Sequence, residues 1–406
     1  MYIDKKLSVL QVTTYPIDEP DHGGKFRCFN IRKFLRNHFN VQTVSFEMIE
    51  GDDCTDGFKV KLNKETFMKE LHGKLPWAYI DWGYNIALDS RDSLYEKLTA
   101  KIKKYNPDII FLEQPFLGPL VEKMKKSNVV SDKCFVVYSS HNIEFALKAE
   151  IYKDVFSGEE LQKKLNMVKN IELDAISSAN MSIAVSQEDV DFIKKISPDQ
   201  EVFLYQNGHS IINETPNAEK WQKLFSQAQR NWVFVGSWHP PNINGIYNLI
   251  TNSLMDLDSS KVKLWVLGSV GLGLEATYSF ENKAGSPIEI ITDVTNEDID
   301  SAIMASSGIV LPVWEGGGSN LKTVQALLSR KAIISTKHAF RGLDEYVTED
   351  GVTITDSPDE IVAALNGFPL RDLYDRELSI STLPWDKILS TLPDNLLQSY
   401  RKHTKE

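Results

Sequence analysis

A glycine loop that leads into a helix-like stretch is the part of this chain best suited to hold a phosphate. The segment runs Gly316-Gly-Gly-Ser-Asn-Leu-Lys322 and lies between an apolar strand and an amphipathic stretch. The start of a helix offers free backbone N–H groups and the positive end of the helix dipole, and both favour an anion. Ser319 has the residue type of an N-cap. Lys322 is a cation in the first turn, where it opposes the dipole unless an anion is near. The segment therefore predicts a phosphorylated ligand.

Two further polar groups follow apolar strands in the first half of the chain. Gly23 and Gly24 come after the strand predicted at Leu7–Thr13, and His141 and Asn142 come after a later strand. Glycines let the backbone approach a bound group, a neutral imidazole can donate one hydrogen bond, and an Asn amide can donate two. Alone, a Gly-Gly pair is as often a simple turn, and a single histidine is more often structural. Their place at strand ends favours a ligand-binding role.

Composition and charge limit the class of protein. The chain has 406 residues, 42% of them hydrophobic and 25% charged, with a net charge of −11. This length fits two domains rather than one core, and the acidic balance argues against nucleic-acid binding as the main function. Three widely spaced cysteines indicate neither a disulfide framework nor a zinc site. No signal peptide or membrane span of about 20 apolar residues is evident. We expect a cytoplasmic protein with at most peripheral contact at the inner face of a membrane.

Strand-like and helix-like segments alternate along the whole chain, which predicts an α/β fold of two doubly wound, Rossmann-like domains. The predicted domains are residues 1–208 and 209–384, with a C-terminal helix of about 385–406 packing back on the first. A single long helix is predicted over Ile143–Ala179. Ligands of such sheets bind at the carboxyl ends of the strands, so we expect the two domains to face one cleft.

These motifs, in this order, resemble the retaining GT-B glycosyltransferases of family 4. The resemblance is carried by the Gly-Gly pair, by His141-Asn-Ile-Glu144, and by the landmarks Ala184–Asp189 and Tyr205–Gly208. The triple-glycine segment resembles a subgroup of exopolysaccharide or O-antigen sugar transferases. The usual Gly-Arg pair and following Lys are replaced here by Gly236-Ser237 without a nearby cation, so Lys322 is expected to supply the phosphate clamp. Ser186 is interpreted as an ordinary helix cap.

The resemblance implies a set of site residues. The expected catalytic residues are His141, Lys322 and Glu315. The expected donor-binding residues are Gly23, Gly24, Arg27, Asn142, Gly236, Ser237, Gly317, Gly318, Ser319, Asn320, Leu321 and Gln325. Two glutamates eight residues apart are usual in the family, and their positions fall on Gly317 and Gln325. Glu315 either reaches the sugar from a different loop path or is a solvated loop residue.

The resemblance also implies an activity. A sugar would pass from a nucleotide diphosphate donor to a hydroxyl of a glycan or lipid-linked acceptor, with retention, in the synthesis of bacterial surface polysaccharide. No cofactor, metal or nucleic acid is expected. Two alternatives remain open: a nucleotide-sugar epimerase, and a non-catalytic subunit that binds a nucleotide or a partner.

Overall fold

The computed structural model describes residues 6–71, 80–153, 156–281, 283, 285–316 and 321–404. The chain divides into two compact units. The first comprises Met1–Gln206 and Leu389–Glu406, and the second comprises Asn207–Ile388. Each unit is built on its own largely parallel sheet, so the predicted class, α/β with two doubly wound sheets, is confirmed. The predicted cleft between the two domains stays a prediction.

The first unit contains an eight-stranded sheet with helices between its strands. Its strands are β1 (Ser8–Val12), β2 (Asn40–Ile49), β3 (Cys54–Asp56), β4 (Lys59–Asn63), β5 (Ile109–Glu113), β6 (Phe135–Ser139), β7 (Met181–Ala184) and β8 (Glu201–Leu204). Its first eight helices are α1 (Gly23–His38), α2 (Lys64–Leu71), α3 (Ile80–Asp89), α4 (Asp92–Tyr105), α5 (Gly118–Lys126), α6 (Glu144–Tyr152), α7 (Gly158–Ser178) and α8 (Gln187–Ile196). The strand order is β3-β4-β2-β1-β5-β6-β7-β8, and only the β3–β4 pair is antiparallel. The chain leaves β1 first to one side and later to the other, which places the switch point between β1 and β5.

The second unit contains a six-stranded parallel sheet. Its strands are β9 (Arg230–Val235), β10 (Val262–Leu267), β11 (Ile288–Ile291), β12 (Gly308–Leu311), β13 (Ala332–Ser335) and β14 (Val352–Ile354). Its helices are α9 (Ala218–Phe225), α10 (Pro240–Thr251), α11 (Val270–Tyr278), α12 (Asn296–Ala305), α13 (Leu321–Ser329), α14 (Pro358–Gly367) and α15 (Trp385–Ile388), with 3₁₀ turns at Ser253–Asp256, His338–Phe340, Asp344–Tyr346 and Ser379–Thr382. The strand order β11-β10-β9-β12-β13-β14 puts the switch point between β9 and β12.

Burial explains why these apolar runs form central strands. Every residue of β1, β5, β6, β10, β12 and β13 is buried. Strands covered by helices on both faces lose the polar–apolar alternation of a one-sided sheet. The core of the first unit includes the stacked rings of Phe46, Tyr84 and Phe67, and the core of the second includes Trp221 packed against Trp265.

The final helix, α16 (Leu392–Thr404), belongs to the first unit although the second unit precedes it in sequence. Glu201 on β8 accepts hydrogen bonds from Ser399 (2.5 Å) and Lys402 (3.0 Å), which attach the helix to the edge of the sheet. Asn395 donates to the hydroxyl of Tyr205 over 2.7 Å.

The prediction of one helix over Ile143–Ala179 is wrong. Helix α6 ends at Tyr152 and α7 begins at Gly158, whose φ of +56° lies in the left-handed region. An α-helix cannot continue through that conformation, and glycine adopts it without steric cost. The predicted cap at Ser186 is confirmed, because its side chain accepts the backbone N–H of Asp189. Among the helices described, none is at once long and apolar enough to cross a membrane.

Candidate functional site

At the switch point of the first unit, helix α1 begins with the predicted glycine pair. Gly23 and Gly24 form its first turn, and the extended N-cap residue His22 makes no side-chain capping bond. This helix start can therefore offer N–H groups to an anion. Gly24 also has a packing role, because a Cβ there would lie 2.3 Å from the hydroxyl of Tyr15. That second role was not predicted from the sequence.

Arg27 lies one turn further along α1 and faces the interior. Its side chain is 1% exposed, and its Nη1 donates to the carbonyl of Tyr205 over 2.8 Å. Burial lowers the pKa of the guanidinium, and the nearby Glu113 carboxylate opposes that shift. The predicted donor-binding residue is thus a buried residue that ties α1 to the segment following β8.

His141 follows β6 and pairs with a buried acid that the sequence reasoning missed. Its Nε2 lies 3.0 Å from Oε2 of Glu113, the last residue of β5, and Gln11 on β1 donates to the other carboxylate oxygen over 2.7 Å. Burial alone would raise the pKa of the Glu113 carboxyl. His141, through its hydrogen bond and its charge when protonated, outweighs this effect together with the hydrogen bonds from Gln11 and Ser139, and the pKa is held below its usual value. The carboxylate is therefore ionised. One signal was available: Glu113 is a charged residue that ends an apolar strand.

Cys28, Glu113 and His141 are also the one group in the described part of the chain that could ligate a metal. Their ligand atoms lie within 4.8 Å of one another, and all three residues are buried. His141 Nε2 already shares hydrogen bonds with Glu113 (3.0 Å) and with Sγ of Cys28 (3.8 Å). Burial also raises the pKa of the Cys28 thiol, which disfavours the thiolate that a metal needs. The cluster is therefore better suited to holding His141 by hydrogen bonds. A soft metal ion could bind only by displacing those hydrogen bonds.

Asn142 is half-exposed beside this cluster, at the start of α6. Its amide donates to Glu144 over a long 3.4 Å. Glu172 on α7 accepts the backbone N–H groups of Glu144 (2.8 Å) and Phe145 (3.1 Å). Burial raises the pKa of Glu172 to about 8 in spite of these two donors. The start of α6 is thus closed by the carboxyl group of Glu172 and is not an anion site, in contrast to the start of α1.

In the second unit, Gly236 at the end of β9 is committed to packing. Its N–H donates to Leu267 (2.9 Å) and its carbonyl accepts from Val270 (3.1 Å), so neither group is left for a ligand. A Cβ at Gly236 would also lie 2.7 Å from the ring of Phe234. The carbonyl of the half-buried Ser237 accepts the Asn242 amide over 2.9 Å.

Helix α10 follows this loop but does not offer the anion site expected of a helix start. Its first two residues, Pro240 and Pro241, have no N–H, and the N–H of Asn242 donates to the carbonyl of His239 over 2.9 Å. A diphosphate at this sheet edge would have to bind elsewhere.

Glu315, after β12, is held by α10. Its Oε1 accepts the amide of Asn244 over 2.9 Å, and the same Asn244 accepts the hydroxyl of Tyr278 over 2.9 Å. The carbonyl of Gly316 accepts from His338 (3.1 Å) and Arg341 (2.5 Å), which fixes the path of the chain as it leaves the strand. Glu315 is therefore a positioned carboxylate at the switch point.

The predicted residues Gly317, Gly318, Ser319 and Asn320 lie outside the described residues. Helix α13 begins at the half-buried Leu321, and Lys322 lies in its first turn. Lys322 makes no ion pair with any described residue, and burial lowers its pKa from 10.5 to about 8. A partly buried cation without a counter-charge is unfavourable unless a ligand supplies the charge.

Gln325 lies one turn after Lys322. Its amide donates to Asp300 on α12 over 3.4 Å. Burial raises the pKa of Asp300, an effect that the nearby His209 opposes. The structure thus adds an acid beside Gln325 that the sequence reasoning did not identify.

Comparison with known proteins gives a fold but no close relative. No protein-family model matches the chain, and no curated protein matches it in sequence. Among solved structures, the UDP-forming α,α-trehalose-phosphate synthase from Burkholderia vietnamiensis is 11% identical with a TM-score of 0.64, covering 99% of this chain and 100% of that one. Sucrose-phosphate synthase from Thermosynechococcus elongatus is 12% identical with a TM-score of 0.64, covering 98% and 99%.

A third similar structure is the catalytic domain of starch synthase IV from Arabidopsis thaliana, bound to ADP and acarbose. It is 12% identical with a TM-score of 0.58, and the match covers 99% of this chain and 100% of that domain. These matches extend over nearly the full length of the chain. The chain therefore has the GT-B fold of glycosyltransferases.

Proposed function

We propose that the protein is a retaining glycosyltransferase that moves a sugar from a nucleotide diphosphate donor to a hydroxyl of a glycan or lipid-linked acceptor. The fold supports this reading, and so do the solved structures of that fold, which include a trehalose-6-phosphate synthase bound to UDP-2-fluoroglucose. Family resemblance extends the proposal to bacterial surface polysaccharide made on the cytoplasmic side of a membrane.

The observation that carries the proposal is Lys322. It is a half-buried cation in the first turn of a helix, at the carboxyl edge of a parallel sheet, and it forms no ion pair within the described residues. The departing group of the proposed reaction is a nucleoside diphosphate, which would supply the missing negative charge. No other predicted site residue in the second unit is a cation.

The remaining residues divide between the two units. In the first, His141 and the open start of α1 at Gly23 and Gly24 would face the sugar and its phosphates. In the second, Lys322 and the glycine loop before it would stabilise charge as the sugar leaves. Glu315, held by Asn244, would place a carboxylate beside the sugar. No step of this scheme needs a metal or a cofactor.

One observation favours a second candidate, a non-catalytic subunit that binds a nucleotide. The positions of the usual glutamate pair are Gly317 and Gln325, and the Gln325 amide is directed to Asp300 rather than left free. A chain of this kind would bind the nucleotide without transferring sugar, since fold alone does not establish turnover.

Calorimetric titration with UDP, GDP, ADP and CMP tests the donor site first. We expect one diphosphate to bind in the micromolar range and Lys322→Ala to weaken it at least about tenfold, or 1.4 kcal/mol. The matched control is Lys331→Ala. Burial lowers the pKa of Lys331 as it does that of Lys322, but Lys331 lies before β13 at the opposite sheet edge. Its substitution should leave affinity unchanged. Equal affinity in wild type and Lys322→Ala would contradict the proposal.

Turnover then separates the candidates. Sugar transfer that depends on an acceptor supports the glycosyltransferase. Donor conversion without an acceptor indicates an epimerase, and tight diphosphate binding with neither reaction indicates the non-catalytic subunit.

A further inference from the structure

A chain of hydrogen bonds crosses four neighbouring strands at the carboxyl edge of the first sheet. Thr43 on β2 donates to the amide oxygen of Gln11 on β1 over 3.2 Å. Gln11 donates to Oε1 of Glu113 on β5 over 2.7 Å, and Nε2 of His141, after β6, lies 3.0 Å from Oε2 of the same carboxylate. Gln11 and Glu113 are fully buried and His141 is 7% exposed.

The chain fixes the direction of each hydrogen bond. The Thr43 hydroxyl donates to the amide oxygen of Gln11, so the amide nitrogen of Gln11 faces Glu113. That nitrogen donates to the Glu113 carboxylate and to the carbonyl of Cys28 (3.0 Å). An ionised carboxylate has no proton to give, and two acceptors 3.0 Å apart would repel. His141 Nε2 must therefore carry the proton.

The role of the other ring nitrogen then follows for the neutral ring. In a neutral imidazole with a proton on Nε2, Nδ1 has a lone pair and can only accept. Nδ1 of His141 is buried and has no hydrogen-bond partner among the described residues. A buried polar atom without a partner is uncommon in a folded protein and calls for a specific reason.

We propose that Glu113 is a positioning residue that holds His141 in the Nε2–H tautomer, so that Nδ1 accepts a hydrogen bond from a hydroxyl of the bound sugar. Only the identity of that ligand as a sugar rests on the proposed function. The tautomer rests on the geometry of the free protein. This proposal differs from the sequence-based expectation, in which a neutral His141 donates to its ligand.

Two-bond proton–nitrogen NMR spectra of the histidine rings test the tautomer without any substrate. We expect the His141 signals, assigned by their loss in His141→Ala, to show the Nε2–H form as the dominant neutral species in the wild type. Glu113→Gln should yield a mixture, because a glutamine side chain can either accept from Nε2–H or donate to a bare Nε2. A dominant Nδ1–H form in the wild type would overturn the proposal, and this measurement needs no variant to fold.

The control variant is Glu172→Gln. Glu172 is as deeply buried as Glu113, but it accepts from the backbone of α6 instead of from His141. We expect it to leave the tautomer of His141 unchanged. A change in both variants would mean that the ring responds to general loosening of the unit, which would also overturn the proposal.

Kinetics test the consequence for the ligand. We expect Glu113→Gln to lower kcat at least about tenfold while the dissociation constant for the free diphosphate stays the same, since a wrong tautomer disables an otherwise intact histidine. Glu113→Asp, which keeps the carboxylate, should recover part of the loss. Unchanged kcat in Glu113→Gln would contradict the role of Glu113 in the reaction.

Deoxy-sugar donors identify the hydroxyl. Removing the hydroxyl that donates to Nδ1 should lower kcat/KM at least about tenfold in the wild type and have little effect in His141→Ala. Equal losses in both proteins, at every position of the sugar, would refute the contact. If no sugar is transferred at all, the proposed function fails, while the NMR result still decides the role of Glu113.

Discussion

Replacing Lys322 by methionine should stabilise the free protein and remove its affinity for nucleotide diphosphate. Methionine keeps the length of the side chain without the charge. The difference between the usual pKa of 10.5 and the pKa of about 8 corresponds to roughly 3 kcal/mol against the charged form in the folded state. This is an upper bound on what Lys322→Met recovers, because solvent still reaches part of the side chain.

The sign of this effect depends on pH. The pKa of Lys322 is lower in the folded than in the unfolded protein, so the unfolded chain binds more protons between pH 8 and 10.5. The destabilisation is complete below pH 8 and disappears as the pH rises to 10.5. The stability gap between Lys322→Met and the wild type should therefore be widest near neutral pH and close across this window.

Tryptophan fluorescence during thermal unfolding can follow the second unit, because six of the eight tryptophans lie in it. For a unit of about 180 residues, 1 kcal/mol shifts the midpoint by roughly 2 to 4 °C. We expect Lys322→Met to raise the midpoint at pH 7 by at least about 3 °C. Lys331→Met, the buried lysine at the opposite edge, should also stabilise but should leave UDP or ADP affinity unchanged.

A Lys322→Met variant that is no more stable than the wild type at pH 7 would contradict this prediction. The same gap at pH 7 and above pH 10.5 would also contradict it, since a constant gap reflects packing of the methionine rather than removal of a charge. Retained diphosphate affinity in Lys322→Met would show that the burial of this lysine has no part in ligand binding.

Three further predictions concern other parts of the fold. Gly245→Ala should lower the thermal midpoint by several degrees, because the new Cβ would lie 1.9 Å from the carbonyl oxygen of Pro312. The control Gly367→Ala, in open space in α14, should be neutral or stabilising. Equal midpoints for the two variants would exclude the clash. Glu172→Gln should be similar in stability to the wild type near pH 4.5 and more stable above pH 8, because a carboxyl whose pKa is raised to about 8 contributes stability that is lost as the pH rises through that value. An unfolding series in which the stability gap does not widen between these two pH values would refute this. Dialysis against a chelator should leave sugar transfer intact, and a loss of activity on chelation would instead indicate a required metal. Added Zn²⁺ should inhibit sugar transfer by binding the Cys28 cluster, and Cys28→Ser should weaken that inhibition at least about tenfold.

The features that could be predicted from the sequence alone depend on residues close together in the chain. Apolar runs separated by helical periodicity predicted two α/β sheets, because burial on both faces leaves its mark on each strand separately. The cap at Ser186 and the first-turn position of Lys322 were equally local, since each depends on residues within one helical turn. The same reasoning failed at Tyr152–Gly158, where one positive φ breaks a stretch that otherwise has a helical composition.

The partners of the candidate site residues were decided by tertiary structure. Gln11 and Glu113 are 102 residues apart, and Asn244 and Glu315 are 71 apart, yet each pair shares a hydrogen bond. Such contacts follow from strand order and register, which parallel strands acquire through long crossovers and which no local periodicity records. The sequence therefore determined which segments become strands. The order of those strands in the sheet decided that His141 contacts a buried carboxylate, while Lys322 contacts none within the described residues.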